Sequence, residues 1–148
     1  MAKPEHPSID DIVENFSFLD DWDDRYSYLI ELGKDLEALP ESEHNAANKV
    51  QGCTSQVWLW VKEVTDSDTA GDPVIHFLGD SDAHIVRGLV AITLALYNGL
   101  KASEIINKDA FAVFSEIGLQ EHLTPQRSNG LRSMIERINR EAEKRLEA

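Results

Sequence analysis

The chain has one cysteine, Cys53, in the stretch NKVQGCTSQ at 48–56, immediately ahead of the apolar run VWLWV. A lone cysteine is by default a small buried hydrophobe. Three local features point elsewhere. Gly52 lets the backbone turn sharply or approach another chain closely. Thr54 and Ser55 surround the thiol with polar groups, which is unusual in a core. The position is also a junction of loop and strand, where rigid structure can hold a residue that still reaches outward. A thiol in such a place needs only exposure and some thiolate character to exchange sulfur with an activated donor.

Other chemistry finds less support. A structural zinc site draws on closely spaced pairs such as C-x-x-C or H-x-x-x-H. The five histidines, His6, His44, His76, His84 and His122, form no such pair with one another or with Cys53, so no metal site is expected. A thiol hydrolase needs an imidazole beside the cysteine and an oxyanion hole. Cys53 with His44 or His84 could be drawn that way, but no local signature supports it. There is no phosphate-cradling glycine loop, no GxSxG elbow and no cofactor fingerprint. As a self-sufficient enzyme the chain is underequipped.

Composition narrows the partners. A formal net charge of −13, from 27 acids against 14 bases, repels phosphate, so neither nucleic acid nor an anionic membrane is an expected partner. The acidity serves solubility, or steers a basic patch of a protein partner. A chain of 148 residues is expected to form one domain, 1–148, with 1–7 as a flexible N-terminal arm. Those first residues lack an apolar signal core, and the run IVRGLVAITLALY is too short to span a membrane. With one cysteine and no internal disulfide, a reducing cytoplasm is the expected compartment.

The elements that must position Cys53 follow from periodicity. Ser8 caps a helix with Ile9, Ile12, Val13 and Phe16 on one face. The acids of DDWDD suit the start of a second helix, with Trp22, Tyr26, Leu29 and Leu36 along it and Pro40 at its end. Val57, Leu59 and Val61 alternate with Trp58, Trp60 and Lys62, a strand of period two; the tryptophans are read as packing. VIHFLG (74–79) is a second strand, and NKVQG a short third. GDSD (79–82) reads as a turn and cap before the apolar helix AHIVRGLVAITLALYNG, closed by Gly99. Two short helices, SEIIN and DAFAVFSEIG, precede a long C-terminal helix opened by Thr124 and Pro125, whose buried stripe is Leu131, Met134, Ile135, Ile138, Ala142 and Leu146. The expected class is α+β: a small antiparallel sheet of about three strands packed with helices.

The stretch NKVQGCTSQVWLW closely resembles the Gly-Cys-x-Ser-Gln-Val-Trp signature of the SufE family of sulfur acceptors. YLIELGKDL, GDSDAHIVRGLVA and HLTPQRSNGLRSMI resemble that family's other blocks, in the same order, so the likeness spans about residues 12–140. It implies a fold similar to SufE and to the IscU-type iron–sulfur scaffolds. It also implies that Cys53 takes persulfide sulfur from a pyridoxal-phosphate-dependent cysteine desulfurase, SufS- or CsdA-like. The sulfur would then pass to an iron–sulfur scaffold or another acceptor. The pyridoxal phosphate belongs to the desulfurase, and no cofactor is expected on this chain. Gln51, Gly52, Gln56, Asp82 and Arg127 are the implied partner-binding positions. Plainer roles are a strand start for Gln56, a helix cap for Asp82 and a surface first-turn position for Arg127. A persulfide in bulk solvent would be lost to reductants, so Cys53 is expected to be sheltered at rest and to swing out beside Gly52 on docking. Two rivals stand beside this reading: a desulfurase-binding adaptor without covalent transfer, and an independent thiol enzyme.

Overall fold

The computed structural model describes residues 8–52, 55–66, 68–119 and 124–147, with Gln126 and Glu147 described by their backbone alone. Helix α1 (Ile9–Ser17) begins with a capping box. Ser8 Oγ accepts from the Asp11 N–H, and the Asp11 carboxylate accepts from the Ser8 N–H. Two of the otherwise orphaned first-turn donors are thereby satisfied. Its Ile12 and Phe16 are buried. Helix α2 (Trp22–Lys34) starts at Asp21, whose carboxylate accepts from the Asp23 N–H.

Pro40 does not end α2, as the sequence suggested; the helix stops at Lys34. The chain is needed elsewhere: Glu37 reaches out to Lys62 at 2.7 Å and stands 3.9 Å from His76, so the segment after α2 crosses the sheet. Leu39 is buried on the way.

Strands β1 (Val57–Thr65) and β2 (Val74–Ser81) pair antiparallel, from Val57 opposite Ser81 to Thr65 opposite Val74, with a bulge between Val61 and Glu63. Val57 and Leu59 are buried while Trp58 and Trp60 are half-buried, as period two requires. Among the described residues the sheet has two strands rather than about three. NKVQG contributes only an isolated bridge, Lys49 to Trp58, with Val50 N donating to Val57 O at 2.8 Å and Leu59 N to Asn48 O at 2.9 Å. It does not lengthen into a strand, because the chain is already turned at 46–48, with Lys49 N donating to Asn45 O at 3.1 Å, and turns again at Gln51–Gly52.

A second correction concerns GDSD. Gly79, Asp80 and Ser81 belong to β2, and the N-cap of the next helix is Ala83, which offers no side-chain cap. That helix, α3 (His84–Tyr97), is buried on most sides, including Val90, Ile92 and Tyr97. It packs chiefly on α2 and β2. The free edge of β2 is stitched by the segment after α3. Asn98 bonds both the N–H and the carbonyl of Phe77, and Ala102 N donates to Pro73 O. Short helices α4 (Ala102–Ile106) and α5 (Ala110–Glu116) follow. Helix α6 (Pro125–Glu147) opens with Thr124 Oγ1 accepting from Arg127 N at 3.2 Å. It buries Leu131, Met134, Ile135, Ile138 and Ala142 in the common core.

Candidate functional site

The two flanks of the Cys53 stretch are joined by the Val50 N to Val57 O bond, at the end of the sheet where β1 begins. Cys53 and Thr54 lie outside the described residues, and with them the expectation of a thiol sheltered at rest. What the structure does describe is how both flanks are held.

On the descending side, Gln56 is locked to the end of β2. Its N–H donates to Asp82 Oδ1 at 3.1 Å, and its carbonyl accepts from Ser81 Oγ at 2.7 Å and from Asp82 N at 3.3 Å. Asp82 therefore spends its carboxylate on the thiol loop and not on capping α3, which corrects the plainer role expected for it. Ser81 is buried beneath this contact.

On the ascending side, α6 supports the chain. Arg137 donates from Nη2 to Ala47 O at 2.8 Å and from Nη1 to Lys49 O at 3.5 Å, and Glu141 holds the same guanidinium at 3.4 Å. Gly52 has φ +92°, and a Cβ there would stand 2.6 Å from Ser133 Oγ of α6. A left-handed backbone favours glycine, and the Ser133 hydroxyl crowds the space a side chain would take. The residue before Cys53 is thus favoured as glycine chiefly by conformation.

One rung further along the sheet, His44 bonds Asp80 through Nε2 at 2.8 Å and Pro40 O through Nδ1 at 3.1 Å, with its ring edge-on to Trp58. The Asp80 bond holds the His44 pKa above its ordinary 6.5. Both nitrogens are engaged, so service as a base toward a thiol would first require one of these bonds to break, the Pro40 bond where Nε2 keeps its proton on Asp80. His84 is exposed at the start of α3.

Of the five implied partner-binding residues, the structure brings Gln51, Gly52, Gln56 and Asp82 to one end of the molecule. Gln51, Gln56 and Asp82 are exposed there. Arg127 lies in the first turn of α6, six residues and about 9 Å of helix rise before Ser133. Among the described residues no hydrogen bond or ion pair joins its guanidinium to the other four. Sequence reasoning missed Ser133, Arg137 and Asp80. Arg137 and Ser133 carried a faint signal, since both are polar residues beside the buried stripe of α6, but nothing local names their targets. Among the described residues no group of three or more His, Cys, Asp or Glu stands placed to hold a metal ion, and no helix is long and apolar enough to cross a membrane.

Residues 10–142 match the family described as SufE, Fe-S metabolism associated domain. Uncharacterised SufE-like proteins of Rhizobium meliloti (strain 1021) and Rhizobium etli are each 57% identical to this chain over 141 residues. That is 95% of this chain in both cases, and 99% and 93% of theirs. The solution structure of a hypothetical protein from Thermus thermophilus matches along the full length of both chains, with a TM-score of 0.71 at 17% identity, a likeness of fold.

Proposed function

The chain belongs to the SufE family, an Fe-S metabolism associated family, and on that premise we propose that it is a sulfur carrier working with a cysteine desulfurase. The observation that carries the reading is the lone Cys53 in an intact Gly-Cys-Thr-Ser-Gln-Val-Trp stretch, whose described flanks on either side are independently anchored. A family member with one cysteine can carry sulfur but lacks the several thiolates that hold a cluster.

The step is one exchange. The Cys53 thiolate attacks the outer sulfur of the desulfurase persulfide, and the old sulfur–sulfur bond breaks. The desulfurase cysteine leaves as a thiolate and takes up a proton, while Cys53 becomes the persulfide. No net oxidation is needed. The carbon–sulfur bond of the substrate cysteine is broken beforehand by the partner's pyridoxal phosphate, and this chain is assigned no cofactor. Its contribution is placement: the anchored hairpin presents one thiol to a docked partner in a narrow range of positions. Gln51, Gly52, Gln56, Asp82 and Arg127 are proposed to meet that partner. An iron–sulfur scaffold or another thiol then takes the sulfur, within the cytoplasm.

Incubation with a desulfurase and free cysteine, followed by intact mass without reductant, tests this. The expected result is a reductant-labile gain of one or more sulfur atoms, absent in Cys53→Ser. No gain despite intact binding would replace the carrier with an adaptor.

A further inference from the structure

His44 joins three parts of the fold through one ring: its own 3-10 turn, β1 and β2. Its Nδ1 faces the Pro40 carbonyl at 3.1 Å and its Nε2 faces Asp80 Oδ2 at 2.8 Å. A carbonyl and a carboxylate can only accept, so satisfying both requires a donor on each nitrogen, and the form with two donors is the imidazolium. The ring edge meets Trp58 with centroids 4.9 Å apart. Trp58 is the residue that pairs with Asp80 on one side and bridges to Lys49 on the other. The clasp therefore sits on the same rung of the sheet that receives the chain entering the thiol hairpin.

Charges around the ring come from every neighbouring element. Asp80 comes from β2 and Glu41 from the 3-10 turn Glu41–Glu43, and both favour the cation. Arg87 of α3 shares the Asp80 carboxylate, with Nε 3.1 Å from Oδ1, and opposes it. β1 contributes the uncharged Trp58. Arg137 of α6 acts further along, on Ala47 and Lys49. The net result is a His44 pKa raised above 6.5, chiefly by the Asp80 bond and against partial desolvation.

We propose that His44 is a positioning residue for the thiol hairpin: as the imidazolium it pins residues 44–50 onto the Trp58–Asp80 rung, and its deprotonation releases them. The consequence for sulfur transfer rests on reading Cys53 as the carrier; the clasp itself does not. The sign follows from linkage. A group whose folded pKa is raised stabilises fully below its unfolded value and loses that contribution as pH rises through the folded value. The hairpin is thus held tightest below about pH 6.5 and loosens above it, within the range where small environmental shifts make histidine a switch.

Amide hydrogen exchange of the full chain by NMR reads this directly, through the protection of Val50 and Leu59, whose N–H groups bond Val57 O and Asn48 O. Protection factors, with intrinsic exchange divided out, are expected to fall in the wild type as pH rises from about 6 to about 9. His44→Ala is expected to be poorly protected throughout. His44→Arg, which keeps a permanent cation with several donors, is expected to stay protected and flat with pH. A wild-type profile flat with pH, or wild-type protection in His44→Ala, overturns the proposal. Sulfur loading of the same variants should follow the same order. A wild type that fails to load at all counts against the carrier reading, while the amide data still decide the clasp.

Discussion

Where α2 crosses α3, the backbones touch: a Cβ at Gly33 would stand 2.8 Å from the Gly88 amide nitrogen, and one at Gly88 would strike the Leu29 carbonyl oxygen. Leu29, Leu32 and Leu89 fill the surroundings. Around the Cys53 hairpin the contacts are of another kind. Gln56 is tied to Asp82 and Ser81, Ala47 and Lys49 to Arg137, and His44 to Asp80, through polar groups that mostly keep some access to water. Close apolar packing fails all at once when its volume is wrong. A set of exposed and half-exposed hydrogen bonds, each worth about 1 kcal/mol, can be weakened one at a time. A hairpin that must meet another protein gains from the second construction, and a core that must hold it gains from the first.

Gly88→Ala should break this comparison hardest if it is wrong. The added methyl meets backbone, which cannot swing aside as a side chain can. The expected loss is roughly 3 kcal/mol, at the upper end for overpacking, read from urea unfolding followed by tryptophan fluorescence. A loss below about 1 kcal/mol would mean that α2 rides freely away from α3, and the crossing would no longer be the rigid member of the pair.

Gly52→Ala tests the hairpin with a substitution of the same size. The left-handed φ costs about 1–2 kcal/mol, and the Ser133 hydroxyl adds a contact that Ser133→Ala removes. The double substitution is therefore expected to recover part of the loss and leave the conformational part, a coupling of about 0.5–1 kcal/mol in a double-mutant cycle. Full additivity would show that α6 does not support the residue before Cys53.

The same contrast explains what was legible in the sequence. Local signals were read correctly where a residue acts on its own neighbourhood: the Ser8 cap, the acidic start of α2, Thr124 with Pro125, and the alternation of Val57 and Leu59 with the tryptophans. The Gly-Cys-x-Ser-Gln-Val-Trp stretch named the family, which the match over residues 10–142 bears out. Misreadings fell where a distant group captured a local one. An exception is NKVQG, a bridge and not a strand because the chain turns at 46–48 and again at 51–52. Asp82 turns to an amide 26 residues away, which makes GDSD the end of β2 and not a cap. After the early end of α2, Leu39 is buried and Glu37 meets Lys62, contacts that helical spacing does not announce. Pattern reports what a segment can do alone, and the supports of this hairpin are made by segments acting on one another.

Asp82→Asn carries the smallest expected effect and the finest test. The amide keeps an oxygen that can accept from the Gln56 N–H, and the backbone bond from residue 82 to Gln56 O is untouched. What is lost is the extra strength of a charged acceptor, so global stability should fall by no more than about 0.5 kcal/mol. Asp82→Ala, which removes the acceptor, should cost about 1 kcal/mol, since water can reach the exposed Gln56 amide in its place. The order alanine below asparagine below wild type, seen also in the exchange protection of the Gln56 amide, is what a graded polar anchor produces. If both substitutions instead cost as much stability as Gly88→Ala is expected to, the hairpin would be part of the rigid core, and the division between the two regions would fail.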